Sequence, residues 1–89
     1  MNEAGSRVIA GTVLSAAGQP VAQARVFVLA APGALPDMAL LTDADGRFQL
    51  SAPRPGTYEI GAATDGLGSG RAVVVVGPRN VRVQITLSG

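Results

Sequence analysis

The sequence predicts an all-β fold: a single seven-stranded, mostly antiparallel β-sandwich. Three observations predict it. Apolar, valine-rich segments recur about every ten residues between turn signals. Several of them alternate apolar and polar residues at a period of two, and no segment carries a helical period.

The strands follow in order. "RVIAGTVL" (7–14) opens and "SAAGQP" turns the chain. "VAQARVFVLA" (21–30) comes next, with Ala24, Val26 and Val28 on one face and Arg25, Phe27 and Leu29 on the other. "APGALPD" (31–37) is a loop, because its two prolines cannot join a ladder. "MALLT" (38–42) and "RFQLS" (47–51) flank the turn "DADG". "PRPG" (53–56) precedes "TYEIGAA" (57–63), and "TDGLGSG" (64–70) reads as a flexible loop. "RAVVVV" (71–76), the "GPRN" turn and "VRVQITL" (81–87) complete the domain. In the last strand Val81, Val83, Ile85 and Leu87 face inward while Arg82, Gln84 and Thr86 face solvent. The expected core is Ile9, Val13, Val26, Val28, Phe48, Leu50, Tyr58, Ile60, Val83 and Ile85. Residues 1–6 are expected to form a flexible N-terminus and 88–89 a tail.

Composition narrows the chemistry. Eighty-nine residues make one domain, 47% of them apolar. A chain this short buries only about 60–65% of the surface it exposes unfolded, so its core must be continuous. Cys, His, Trp and Lys are all absent. Neither a disulfide nor a thiolate metal site can form, and a serine nucleophile would have no base. Arginine supplies every basic residue, a preference typical of GC-rich bacterial genomes. A net charge of +1 does not suggest a nucleic acid or an acidic membrane as partner. The opening "MNEAGSRVIA" lacks the basic and apolar regions of a signal peptide, and no apolar run approaches the ~18 residues of a membrane span.

"TDADGRF" (42–48) is the one stretch that could carry chemistry. Asp side chains bond nearby backbone amides in turns, and Gly46 can adopt positive φ, so a hairpin turn explains it. A calcium loop would need oxygen ligands at several alternate positions, yet no acid follows Asp45 until Glu59. A weak cation site shared with another loop is the alternative. Two acids on a hairpin tip also lack the cleft that drives paired-carboxylate catalysis. "GLGSG" (66–70) has no following lysine and precedes a strand, unlike a phosphate loop. No catalytic, metal-binding or cofactor-binding residue is therefore assigned, and the chain is not expected to be an enzyme.

Three motifs in order carry a family resemblance. They are the first strand with Ile9, Gly11 and Val13 followed by Gly18-x-Pro20, the Thr42-Asp43-x-x-Gly46-x-Phe48 hairpin, and the Pro55-Gly56-x-Tyr58 turn. From about residue 8 to 87 the chain resembles the carboxypeptidase regulatory-like domain, a prealbumin-like (transthyretin-like), immunoglobulin-like sandwich. The resemblance implies a non-catalytic accessory module found beside peptidase domains, in outer-membrane receptors and in cell-surface proteins. If the domain is cut from a longer chain, the resemblance favours a periplasmic, cell-surface or secreted setting. Related hydrolases of the purine pathway use histidines and a C-terminal Tyr-Arg-Gly-Ser that have no counterpart here, and isopeptide-bonded adhesin modules need lysine.

Two functional expectations follow. In the first, the module packs against or spaces a neighbouring domain or a second copy through an apolar outer face. Phe27 and Leu29 lie on the outer face of their strand, and residues 72–76 are apolar throughout where a two-layer sandwich needs only alternate apolar positions. The candidate interface is therefore Phe27, Leu29, Val73, Val74, Val75 and Val76. One register step decides which valines point outward. In the second, loops 31–37 and 64–70 bind a carbohydrate or peptide.

Overall fold

The computed structural model describes residues 7–33 and 39–88. Seven strands form two sheets, with no helix among the described residues. They are β1 (Arg7–Leu14), β2 (Arg25–Ala30), β3 (Ala39–Leu41), β4 (Arg47–Ala52), β5 (Gly56–Thr64), β6 (Gly68–Val76) and β7 (Val81–Thr86). One sheet has the order β4-β1-β7, the other β3-β2-β5-β6. All pairings are antiparallel except that of the first and last strands, which run parallel from Ile9↔Val81 to Leu14↔Thr86. The mostly antiparallel sandwich is as the sequence predicts.

Alternation builds the core. β4 buries Phe48, Leu50 and Ala52 and exposes the residues between them. Of the predicted core, Ile9, Val13, Val26, Phe48, Leu50, Tyr58, Ile60 and Ile85 are buried. Val28 and Val83 are partly buried against them. Val21, Ala24, Ala52, Ala62, Val76 and Leu87 complete the cluster. Large and small residues meet across the ladder: Gly11 lies opposite Phe48, whose ring fills the space above the glycine. Tyr58 buries its ring and donates its hydroxyl hydrogen to the Arg54 carbonyl at 2.7 Å, clamping the Pro53–Gly56 turn.

Four segments depart from the sequence reading. Residues 21–24 are not strand. Gln23 takes a left-handed φ of 59°, and the buried Thr42 hydroxyl donates to the Val21 carbonyl (2.6 Å) while accepting from the Ala24 amide (2.9 Å). A local side-chain anchor thus outcompetes the ladder, although Val21 and Ala24 still reach the core. The loop at 64–70 is much shorter than expected. β5 and β6 pair out to Thr64↔Gly68, leaving only residues 65–67 as a turn, with Gly66 at a φ of 101°. Ser88 is not a loose tail, because it exchanges two backbone hydrogen bonds with Ser69 (2.9 and 3.2 Å). Val74 and Val76 point inward, not toward an interface. At Gly70 a β-carbon would collide with the Thr86 carbonyl oxygen, so only glycine lets β6 approach β7 so closely. The expected flexible N-terminus (1–6), residues 34–37 of the first candidate loop, Met38 of the expected strand 38–42 and Gly89 lie outside the described residues.

Candidate functional site

The "DADG" hairpin is a turn by its own hydrogen bonds. One Asp43 carboxylate oxygen accepts from the amides of Asp45 and Arg47, each at 2.9 Å. These bonds, that from Arg47 foremost, with the nearby Arg47 charge, hold the Asp43 carboxyl below its ordinary pKa of 3.8. Gly46 sits at a φ of 74° and its carbonyl accepts from Val13, tying the hairpin to β1. Asp43 is thus engaged as a backbone cap.

The two outward-facing sheet surfaces differ in character. On the four-stranded sheet, Val73 and Val75 are 62% and 69% exposed, Leu29 is 48% exposed, and Leu41 is 59% exposed. Cross-strand register sets Val73 beside Glu59 and Val75 beside Thr57. Phe27 belongs to the same face but is only half-buried: its ring covers Gly61, its direct partner on β5. Two exposed ion pairs frame the apolar residues, Arg71–Glu59 at 3.3 Å and Arg25–Asp65 at 3.7 Å. Of the six residues expected at an interface, Leu29, Val73 and Val75 are freely exposed, Phe27 is shared with the fold, and Val74 and Val76 are turned into the core. Register resolves what composition could not: Val76 opposite Gly56 and Val74 opposite Tyr58 share the inner face.

The three-stranded sheet is polar outside. Small residues, Ala10 and Thr12, occupy its central strand, and long ones flank them. Arg47 and Gln84 sit on either side of Thr12, and Gln49 and Arg82 on either side of Ala10. The height difference makes a trough along β1. With Asp43 and with Leu40 and Leu41 of β3, at the edge of the other sheet, these six residues line an open depression of about 1010 Å³. Sequence reading placed Arg82 and Gln84 on the solvent face but could not unite them with Arg47 and Gln49, because that requires knowing that β1 lies between β4 and β7. The alternation of long polar residues in two strands with small ones in a third was the available signal.

The second candidate loop, 64–70, is consumed by the β5–β6 hairpin, so it offers three turn residues in place of seven. The ligand-binding role expected of it has no pocket-forming loop there.

Among solved structures, a crystal structure of a DUF3823 family protein from Parabacteroides merdae superposes with a TM-score of 0.71 at 15% identity over 97% of this chain. The chain spans about half of that protein, 47% of its length. A Pseudomonas aeruginosa protein, provisionally described as carbohydrate-binding, superposes with a TM-score of 0.61 at 20% identity, covering 96% of this chain and 90% of that one. At such identities the likeness is one of fold. No curated protein matches the chain. The model of the carboxypeptidase regulatory-like domain matches residues 8–88, nearly the whole chain and including all seven strands but for the first residue of β1. With its three motifs in place on the hairpin, the first strand and the tyrosine-clamped turn, the chain belongs to the carboxypeptidase regulatory-like domain family.

Proposed function

We propose that this domain is a non-catalytic accessory module that packs the outer face of its four-stranded sheet against another protein surface. The observation that carries the reading is the exposure of Leu29, Val73 and Val75 together on that face. The fold does not require them to be apolar, since they point away from the core, and exposed apolar side chains rimmed by polar residues mark a protein contact. Arg71–Glu59 and Arg25–Asp65 give the face both signs of charge. A face carrying both can be self-complementary, as a two-fold interface demands, so a second copy is the partner the face itself fits.

Size exclusion with light scattering tests this. The wild type should associate as concentration rises, and Val73→Asp/Val75→Asp should be monomeric with an unchanged melting temperature. A wild type that stays monomeric at high concentration, with a variant that melts much lower, would show that the valines serve the fold.

A further inference from the structure

We infer that the trough on the three-stranded sheet binds a linear polysaccharide bearing carboxylates. The trough lies on the other sheet from Leu29, Val73 and Val75, so it stands apart from the docking reading.

Of the arginines, Arg25 and Arg71 are paired with acids on the four-stranded sheet. Arg47 and Arg82 make no ion pair among the described residues, and both project from the outer face of the three-stranded sheet. No acid lies on the outer face of β1, β4 or β7. Asp43 borders the depression at the hairpin, but its carboxylate already accepts two backbone amides. A surface whose sheet residues are otherwise Gln49, Gln84, Thr12 and Ala10 therefore carries two guanidinium groups outside any ion pair, Arg47 with the Asp43 charge nearby and Arg82 with no acid on its sheet face.

Geometry then selects the ligand. Arg47 and Arg82 sit diagonally across β1, one in the Thr12 row and one in the Ala10 row. Two strand spacings sideways and two residues along the strand put their Cα atoms about 12 Å apart. Two acidic groups carried on different rings of one extended chain can therefore meet both. Each guanidinium presents a planar fork that matches a carboxylate with two parallel hydrogen bonds. Between them the Gln49 and Gln84 amides offer donors and acceptors and the Thr12 hydroxyl offers one of each, the inventory needed for sugar hydroxyls. Ala10 at the floor keeps the trough open. The depression, at about 1010 Å³, has room for a short oligosaccharide.

The same features argue against a nucleic acid. Single-stranded binding relies on aromatic platforms, and the outer residues of this sheet include none. Two cations also fall short of the several phosphate contacts that such binding uses.

Titration of the isotopically labelled domain with tetragalacturonate, followed by amide chemical shifts, tests the inference. Ala10, Thr12, Gln49 and Gln84 should shift, and maltotetraose, which lacks carboxylates, should bind at least tenfold more weakly. Arg47→Gln/Arg82→Gln should weaken tetragalacturonate binding at least tenfold, whereas Arg54→Gln/Arg79→Gln, with the same net charge, should bind like wild type. Melting curves establish that both variants fold. Absence of shifts in the trough, equal weakening by both double variants, or equal binding of a short oligothymidylate would each overturn it, the last two by revealing plain attraction between opposite charges.

Discussion

Phe27 and Gly61 face each other across the β2–β5 ladder, and the phenyl ring occupies the space that a side chain on residue 61 would need: a β-carbon there would lie 2.5 Å from Cε2. Phe48 and Gly11 repeat the arrangement on the inner face of the other sheet. The two phenylalanines of the chain are thus each seated on a glycine, one in the core and one outside it. Gly11→Ala should cost about 1–3 kcal/mol through overpacking, because Phe48 is enclosed. Gly61→Ala should cost less, since the Phe27 ring is half-exposed and can swing outward. Chemical denaturation of both variants measures the difference.

Thr42 is the buried polar side chain on which the start of β2 depends. Thr42→Val keeps the shape but strands the Ala24 amide and the Val21 carbonyl. Leaving such buried groups unpaired costs about 1–3 kcal/mol each. The variant should unfold at clearly lower denaturant, and amide exchange at Ala24 should accelerate.

Asp43 makes stability depend on acid. Its folded-state pKa lies below the ordinary 3.8, chiefly through the Arg47 amide, so its contribution is present above that value and is lost as pH falls through the lower folded value. The melting temperature of Asp43→Ala should be lower than that of wild type at neutral pH, and the gap should close in strong acid. Calcium at millimolar concentration should leave the wild-type melting temperature unmoved.

Gly46→Val should destabilise strongly. Its φ of 74° disfavours a branched residue, and a β-carbon would meet the Val13 carbonyl oxygen at 2.8 Å and the Val21 nitrogen at 2.9 Å. Both are backbone atoms that cannot swing aside, so a loss of roughly 1–3 kcal/mol is expected from strain of this kind. Thermal melts compare it with Gly18→Val, where no neighbouring atom intrudes and only the positive φ opposes the change.

The four valines of β6 should separate cleanly. Val73→Asp and Val75→Asp lie on the outer face and should stay within about 0.5 kcal/mol of wild type, as surface changes do. Val76→Asp would bury a charge in the core and should prevent folding at ordinary temperature.

Periodicity made most of this fold legible. β1 was readable residue for residue, and the inward positions of β4, β5 and β7 followed from alternation and from the few large apolar residues. Residues 21–24 were not readable, because Val21 and Ala24, three apart, are both held inward by a threonine some twenty positions away. Gly68 to Gly70 looked like loop because glycine is a turn signal, yet here they serve a strand that must press against β7. The valine run carried no parity, so Val74 and Val76 could be assigned only once Tyr58 and Gly56 were known to stand opposite them. The trough was the least accessible feature: it exists only because distant segments of the chain become adjacent strands.

The parallel pairing of β1 with β7 has a mechanical consequence. Because both strands run the same way, the polypeptide comes in at Arg7 on one end of the sandwich and leaves past Thr86 at the other. Pulling the two ends apart drags the neighbouring strands in opposite directions along their length. The interstrand hydrogen bonds from Ile9↔Val81 to Leu14↔Thr86 then bear the load together in shear, instead of parting one after another as a zipper does. Under tension this domain resists as a clamp.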